Sequence, residues 1–93
     1  MKTNTFSVDG DETPDAVTAD IPCRFIYIRQ NGALGTTDYD VYAPTSSDTP
    51  IRRVAGETHV FDAGAGNLFQ AGQVVGYLKA VTVGTYTFSR ICE

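Results

Sequence analysis

Apolar and polar residues alternate along most of this chain with a period of two. Groups of glycine, proline, asparagine, aspartate and serine interrupt the alternation about every 8 to 12 residues, which is the spacing of short antiparallel strands. No window of useful length shows the period of an amphipathic helix. The pattern therefore predicts an all-β protein, a single small antiparallel β-sandwich or jelly-roll-like domain of about seven strands.

The predicted strands cover residues 3–9, 23–30, 38–44, 51–55, 58–63, 73–81 and 85–92. Within 38–44, one face carries Tyr39, Val41 and Ala43, which is typical of a half-buried strand. The final strand places four larger side chains on one face: Tyr86, Phe88, Arg90 and Cys92. Because 51–55 and 58–63 flank the dipeptide Gly56-Glu57, they are predicted to form a short hairpin.

Gly76 stands inside the strand-like segment QVVGYLKAV, residues 73–81. Glycine weakens a strand, so its presence there marks a bend or bulge, or a place where a ring or another backbone approaches closely. Tyr77, Tyr86 and Phe88 are the candidate rings. A neighbouring chain is a further candidate for this close approach.

The chain has 93 residues, the size of one small domain, and its charge is unevenly placed. Residues 1–20 hold one basic and five acidic side chains, whereas residues 21–93 hold six of each sign, so the net charge of −4 lies in the amino-terminal segment. We expect an acidic strand or arm over 1–20, followed by the sandwich over 21–93. Because there is no basic stripe, direct binding to DNA or RNA is not expected.

The two cysteines, Cys23 and Cys92, limit the metal and redox chemistry of the chain. They are too few for a zinc site of three or four thiolates. Each lies in an apolar run, so buried free thiols and a single disulfide both remain open.

The amino-terminal sequence MKTNTFSVDG lacks the apolar segment of a secretory signal. No stretch approaches the roughly 18 consecutive apolar residues of a membrane span. We therefore expect a chain that is made and folded in the cytoplasm and has no membrane contact.

Catalytic chemistry has little support in this sequence. His59 is the only histidine, it alternates with Phe61 on a predicted strand, and no G-x-S-x-G sequence is present, so a structural or surface histidine is predicted. The glycine-rich GAGNLFQAG lacks the Lys-Ser/Thr ending of a phosphate loop. We expect no enzyme activity, no catalytic residue and no cofactor.

The acidic segment 9–20 has a spacing near that of a calcium loop, with aspartates at Asp9, Asp11, Asp15 and Asp20. Pro14 occupies the position that requires glycine for the sharp turn, and the final ligand is aspartate where a bidentate glutamate is needed. The sequence therefore predicts a solvated acidic loop and no metal site.

The carboxy-terminal half, from Arg52 onward, carries three distinctive segments: G-E-T-x-x-F at 56–61, F-x-A-G-x-V-V-G-Y-L at 69–78 and G-T-Y-T-F-S at 84–89. With them, this half resembles the small all-β structural proteins of tailed-phage virions, of the type that decorates or cements capsids. The resemblance implies a non-enzymatic protein that binds the capsid surface and stabilises the shell. It also implies the virion as location, after synthesis in the host cytoplasm, and the major capsid protein or another virion protein as partner.

Four residues are candidates for partner contact: Arg52, Arg53, Tyr42 and Gly76. The two arginines are expected on opposite faces of a strand, where one protects an edge or pairs with an acidic residue. Exposed strand edges in so small a sandwich favour a homo-oligomer. The alternative function is a tail- or fibre-associated carbohydrate- or receptor-binding module, with Tyr42 as the first contact residue.

Overall fold

The computed structural model describes residues 1–10, 13–31 and 37–93, which form eight strands and no helix. The strands are β1 (Lys2–Asp9), β2 (Asp15–Thr18), β3 (Phe25–Gln30), β4 (Tyr39–Tyr42), β5 (Ile51–Arg53), β6 (His59–Asp62), β7 (Val74–Ala80) and β8 (Thr85–Cys92). The predicted all-β class is confirmed. Within these ranges, no helix could cross a membrane.

The strands form two four-stranded sheets in which every pairing is antiparallel. The first sheet has the order β1-β8-β3-β6, and the second has the order β2-β7-β4-β5. Strands β1 and β6 are therefore the edges of the first sheet, and β2 and β5 are the edges of the second. Apolar side chains of both sheets meet in one buried core, as in a β-sandwich.

The segment 1–20, expected as an acidic strand or arm, contributes two strands to the sandwich in its described part. Strand β1 pairs with β8 along its whole length, from Lys2 opposite Cys92 to Asp9 opposite Thr85, and β2 pairs with β7. The physical reason is burial, because the side chains of Val8 and Val17 are fully inaccessible to solvent. Strand β2 is the element that brings the count from seven to eight.

Strands β5 and β6 do not form the predicted hairpin. Strand β5 pairs with β4 in the second sheet, whereas β6 pairs with β3 in the first sheet. The turn between them is closed by the Glu57 amide, which donates to the Val54 carbonyl at 3.0 Å, and Gly56 has a φ of 87°. This turn therefore carries the chain from one sheet to the other.

The predicted alternation of β4 and β8 is confirmed at their core positions. Tyr39 and Val41 are buried, and so are Phe88, Arg90 and Cys92. The rings of Tyr39 and Phe88 meet edge to face with their centroids 5.1 Å apart, a favourable geometry for aromatic pairs. Ala43 follows the end of β4 and is exposed, so the alternation stops earlier than predicted.

Candidate functional site

Arg52 and Arg53 lie next to each other on the edge strand β5 but make different contacts. The Arg52 Nε atom is 2.5 Å from the Asp40 carboxylate on the outer face of the second sheet. The Arg53 Nε–H donates to Nδ1 of His59 at 3.0 Å, and its guanidinium is 3.7 Å from Glu57. Both arginines are therefore already engaged within the chain.

Tyr42 is the only other proposed contact residue on the face that carries Arg52. Tyr42 is half-buried and lies two residues after Asp40 on β4. It pairs with Tyr77 of β7. The pKa of Arg52 is raised, mainly by its hydrogen bond to Asp40 and in small part by Tyr42. The fold thus brings Arg52 and Tyr42 onto one surface and leaves Arg53 and Gly76 away from it.

Gly76 is buried, so it does not offer a surface to a partner chain. A Cβ atom at this position would lie 2.6 Å from the Cε1 atom of Phe61 and 2.7 Å from the carbonyl oxygen of Tyr42. The register of β2 against β7 also shifts here, since Val17 is opposite Gly76 and Thr18 is opposite Val74. A bulge and a close approach, the two interpretations offered for this glycine, therefore occur together.

His59 is a buried, neutral side chain. Burial and the neighbouring Arg53 guanidinium lower its pKa to about 4. Its Nδ1 atom accepts the Arg53 hydrogen bond, and its ring meets that of Phe61 with centroids 4.7 Å apart. Over the described part of the chain, no hydroxyl or carboxylate is hydrogen-bonded to the His59 ring, so this ring lacks the partners of an acid–base pair.

The described acidic residues of the segment 9–20 are engaged by other groups. Asp15 accepts the Asp9 amide at 2.8 Å, and Asp20 lies 3.0 Å from the buried Arg90 guanidinium. Asp11 lies outside the described residues. Among those that are described, no group of three or more histidine, cysteine, aspartate or glutamate side chains could hold a metal ion.

An apolar groove of about 420 Å³ lies where the edge strands β5 and β6 come together. We call it the edge groove; its lining is mostly apolar and also holds two polar residues, His59 and Asp62, the apolar members being Ala43, Pro44, Ile51, Val60, Phe61, Phe69 and Val75. Ile51 and Val60 remain 54% and 42% exposed, although they are large apolar residues. The sequence did not predict this groove, because the predicted hairpin placed β5 and β6 in one sheet.

A second groove, of about 340 Å³, lies on the outer face of the first sheet. We call it the face groove; it is lined by Tyr27, Arg29, Asn31, Thr58, Ser89 and Ile91. The signal for it was present in the sequence, since positions 27, 29 and 31 alternate with the apolar Ile26 and Ile28 and must share a face.

Searches of protein-family models, curated proteins and solved structures returned nothing that matches this chain.

Proposed function

We propose that this chain is a non-enzymatic structural protein of a virion, and that it binds the capsid surface through the edge groove. The observation that carries the proposal is an apolar groove flanked by two edge strands. Exposed apolar side chains such as Ile51 and Val60 are typical of protein contact sites. The outer backbone groups of an edge strand add hydrogen-bonding capacity for a partner.

The capsid assignment rests on the resemblance carried by residues 56–61, 69–78 and 84–89. Two of these segments supply residues of the edge groove: Phe61 comes from the first, and Phe69 and Val75 from the second. The residues that carry the resemblance therefore include residues that would form the contact. This coincidence supports the edge groove as the binding surface.

A decoration protein needs no active site, since its work is to hold neighbouring subunits together. Moderate interfaces achieve this, because a copy or an oligomer that already holds one subunit makes its contact with the neighbouring subunit as an intramolecular step. The edge strands also favour a homo-oligomer of this chain.

The test is co-sedimentation of the purified chain with intact and emptied particles of the phage that encodes it, followed by heating of the particles. We expect saturable binding at a fixed ratio to capsid subunits and a raised disruption temperature. Ile51→Glu should abolish binding, because it replaces an exposed apolar side chain of the edge groove with a charged one. Val83→Glu is the matched control, since Val83 is 86% exposed and does not line the groove.

Two outcomes would contradict the proposal. One is the absence of binding to any shell by a folded chain. The other is equal binding by the wild type and Ile51→Glu, which would remove the edge groove from the contact.

The alternative function, a tail- or fibre-associated carbohydrate- or receptor-binding module, is favoured by a different observation. The face groove combines a tyrosine, an arginine and several hydroxyl and amide groups. Tyr42, the residue first expected to make such a contact, lines neither groove.

A further inference from the structure

The face groove is built on the regular rows of the first sheet. Arg29 of β3 lies opposite Ser89 of β8, and Ser89 in turn lies opposite Thr5 of β1. Tyr27 lies opposite Ile91 on one side and Val60 on the other. At this groove the outer face of the sheet therefore presents Arg29 and the ring of Tyr27, which lies 6.1 Å from the ring of Phe25, next to a series of hydroxyl groups.

Arg29 differs from the other four arginines in having no partner among the described residues. Arg24, Arg52 and Arg90 each lie within ion-pair distance of an aspartate, and Arg53 is engaged by His59 and Glu57. Arg29 is exposed and lines the face groove. A free guanidinium offers two parallel N–H donors, the geometry that a carboxylate accepts.

The rest of the groove lining is polar and uncharged, apart from an apolar side. Ser89 Oγ and Asn31 Oδ1 are hydrogen-bonded to each other beside Arg29, and Thr58 adds a third polar group. The apolar side is formed by the ring of Tyr27 and by Ile91. Hydroxyl and amide groups next to an aromatic surface suit a sugar ring, which has polar edges and an apolar C–H face.

We propose that the face groove binds a saccharide that carries a carboxylate, of the uronic-acid or sialic-acid class. Arg29 would hold the carboxylate, Tyr27 would pack on the ring, and Asn31 and Ser89 would bond to hydroxyl groups. A groove of about 340 Å³ lies at the lower end of small-molecule sites and suits a single residue of a glycan. The proposal does not depend on capsid binding, because the face groove and the edge groove share no lining residue.

Two other ligands fit the face groove less well. A peptide cannot add as a strand at this surface, because β3 is already paired with β6 on one side and β8 on the other. A phosphate group is favoured by several cations or by a set of free backbone amides, whereas the described lining of this groove contains one arginine.

The experiment titrates the isotope-labelled chain with D-glucuronic acid, N-acetylneuraminic acid, D-glucose and acetate. Binding is monitored by the NMR chemical shifts of the backbone amides. We expect both acidic sugars to shift the amides around Tyr27, Arg29 and Ser89, and to bind more tightly than glucose or acetate. Arg29→Ala should weaken the binding of both acidic sugars by about tenfold or more, because it removes one charge-assisted hydrogen bond. It should leave the binding of glucose unchanged. Tyr27→Ala should weaken the binding of every sugar, because it removes the ring on which the sugar packs.

Controls separate this site from general charge effects and from the edge groove. Arg52→Ala removes an arginine of the second sheet, and Ile51→Glu blocks the edge groove; both should bind the acidic sugars as the wild type does. Unchanged dispersion of the amide signals shows that each variant is folded. The proposal is overturned if neither acidic sugar shifts these amides, if Arg29→Ala binds like the wild type, or if acetate binds as tightly as glucuronic acid.

Discussion

The ring of Phe61 lies directly against the α-carbon of Gly76, so that a single added methyl group would stand 2.6 Å from its Cε1 atom. Phe61 belongs to β6 of the first sheet and Gly76 to β7 of the second. The ring therefore crosses the interior of the sandwich and packs where the opposite strand has no side chain. The two sheets are therefore in direct contact at this point.

Gly76→Ala is expected to lower the free energy of unfolding by about 3 kcal/mol, because the new methyl group overlaps both Phe61 and the Tyr42 carbonyl. Chemical denaturation of the variant measures this. Adding Phe61→Leu should recover part of the loss, since it removes one of the two overlaps. Gly66→Ala is the control: it has a φ of 78° and open space, so only backbone strain, about 1 kcal/mol, is expected. Equal losses in the two alanine variants would contradict the packing explanation.

The sequence predicted that Gly76 would mark a special contact, but it could not identify the ring. Tyr77, Tyr86 and Phe88 are the candidates from the sequence because they lie near Gly76 along the chain. The ring that packs there, Phe61, comes from β6 of the facing sheet, which also contains Tyr86 and Phe88 on β8. Which residues meet across a sandwich depends on how the sheets are stacked, and alternation within a strand carries no such information.

Two strand predictions were wrong, for different reasons: strand β2 was missed, and β5 and β6 were expected to form a hairpin. Strand β2 is only four residues long and follows an acidic segment with a proline, so its alternation was too short to recognise. The turn at Gly56 has the composition of a hairpin turn but connects the two sheets. Local turn chemistry fixes the bend of the chain, whereas long-range pairing fixes the partner. The edge groove depends on that pairing and was therefore missed.

Arg90 is expected to stabilise the fold through a buried network that joins the two sheets. Its guanidinium lies 3.0 Å from Asp20, bonds to Asn4 at 2.7 Å and to the Thr18 carbonyl at 2.9 Å, and stacks on Phe6. Arg90→Leu should cost about 3–5 kcal/mol in the free energy of unfolding, because Asp20 is left without its countercharge. Denaturant titration measures the loss.

The control for Arg90 is Arg24→Leu. The pair of Arg24 and Asp62 has a similar distance, 3.1 Å, but its side chains are 40% and 46% exposed. Its removal should cost less than about 1 kcal/mol, as is typical of surface pairs. A loss of the same size in both variants would mean that burial does not determine the contribution of Arg90.

Cys23 and Cys92 are expected to resist thiol reagents in the native protein. Both are buried free thiols, and burial together with the neighbouring Cys92 raises the pKa of Cys23 to about 11 from 9.0. The fraction of reactive thiolate at neutral pH is therefore lower than for an ordinary cysteine. Modification by a disulfide reagent, followed by mass spectrometry, should be slow in the native chain and fast in denaturant. Rapid native modification of Cys23 would contradict this.

His59 is expected to make the stability of the fold depend on pH between its unfolded and folded pKa values. Burial and the Arg53 guanidinium lower the pKa of His59 from 6.5 to about 4. Between these values the unfolded chain takes up a proton that the folded chain does not, so the free energy of unfolding decreases as the pH falls. Above pH 6.5 both states hold a neutral imidazole, and the contribution of His59 to stability is fully present.

His59→Gln separates this effect from the titration of carboxylates, because its amide oxygen can still accept the Arg53 hydrogen bond but cannot be protonated in this range. The variant should lose less stability than the wild type as the pH falls from 6.5 towards 4. Denaturant titrations of both chains at several pH values measure the difference. The imidazole NMR signals of the folded wild type should also remain those of the neutral form in this window. An ordinary titration near pH 6.5, with parallel stability curves for the two chains, would show that His59 is open to solvent and not enclosed between Arg53 and Phe61.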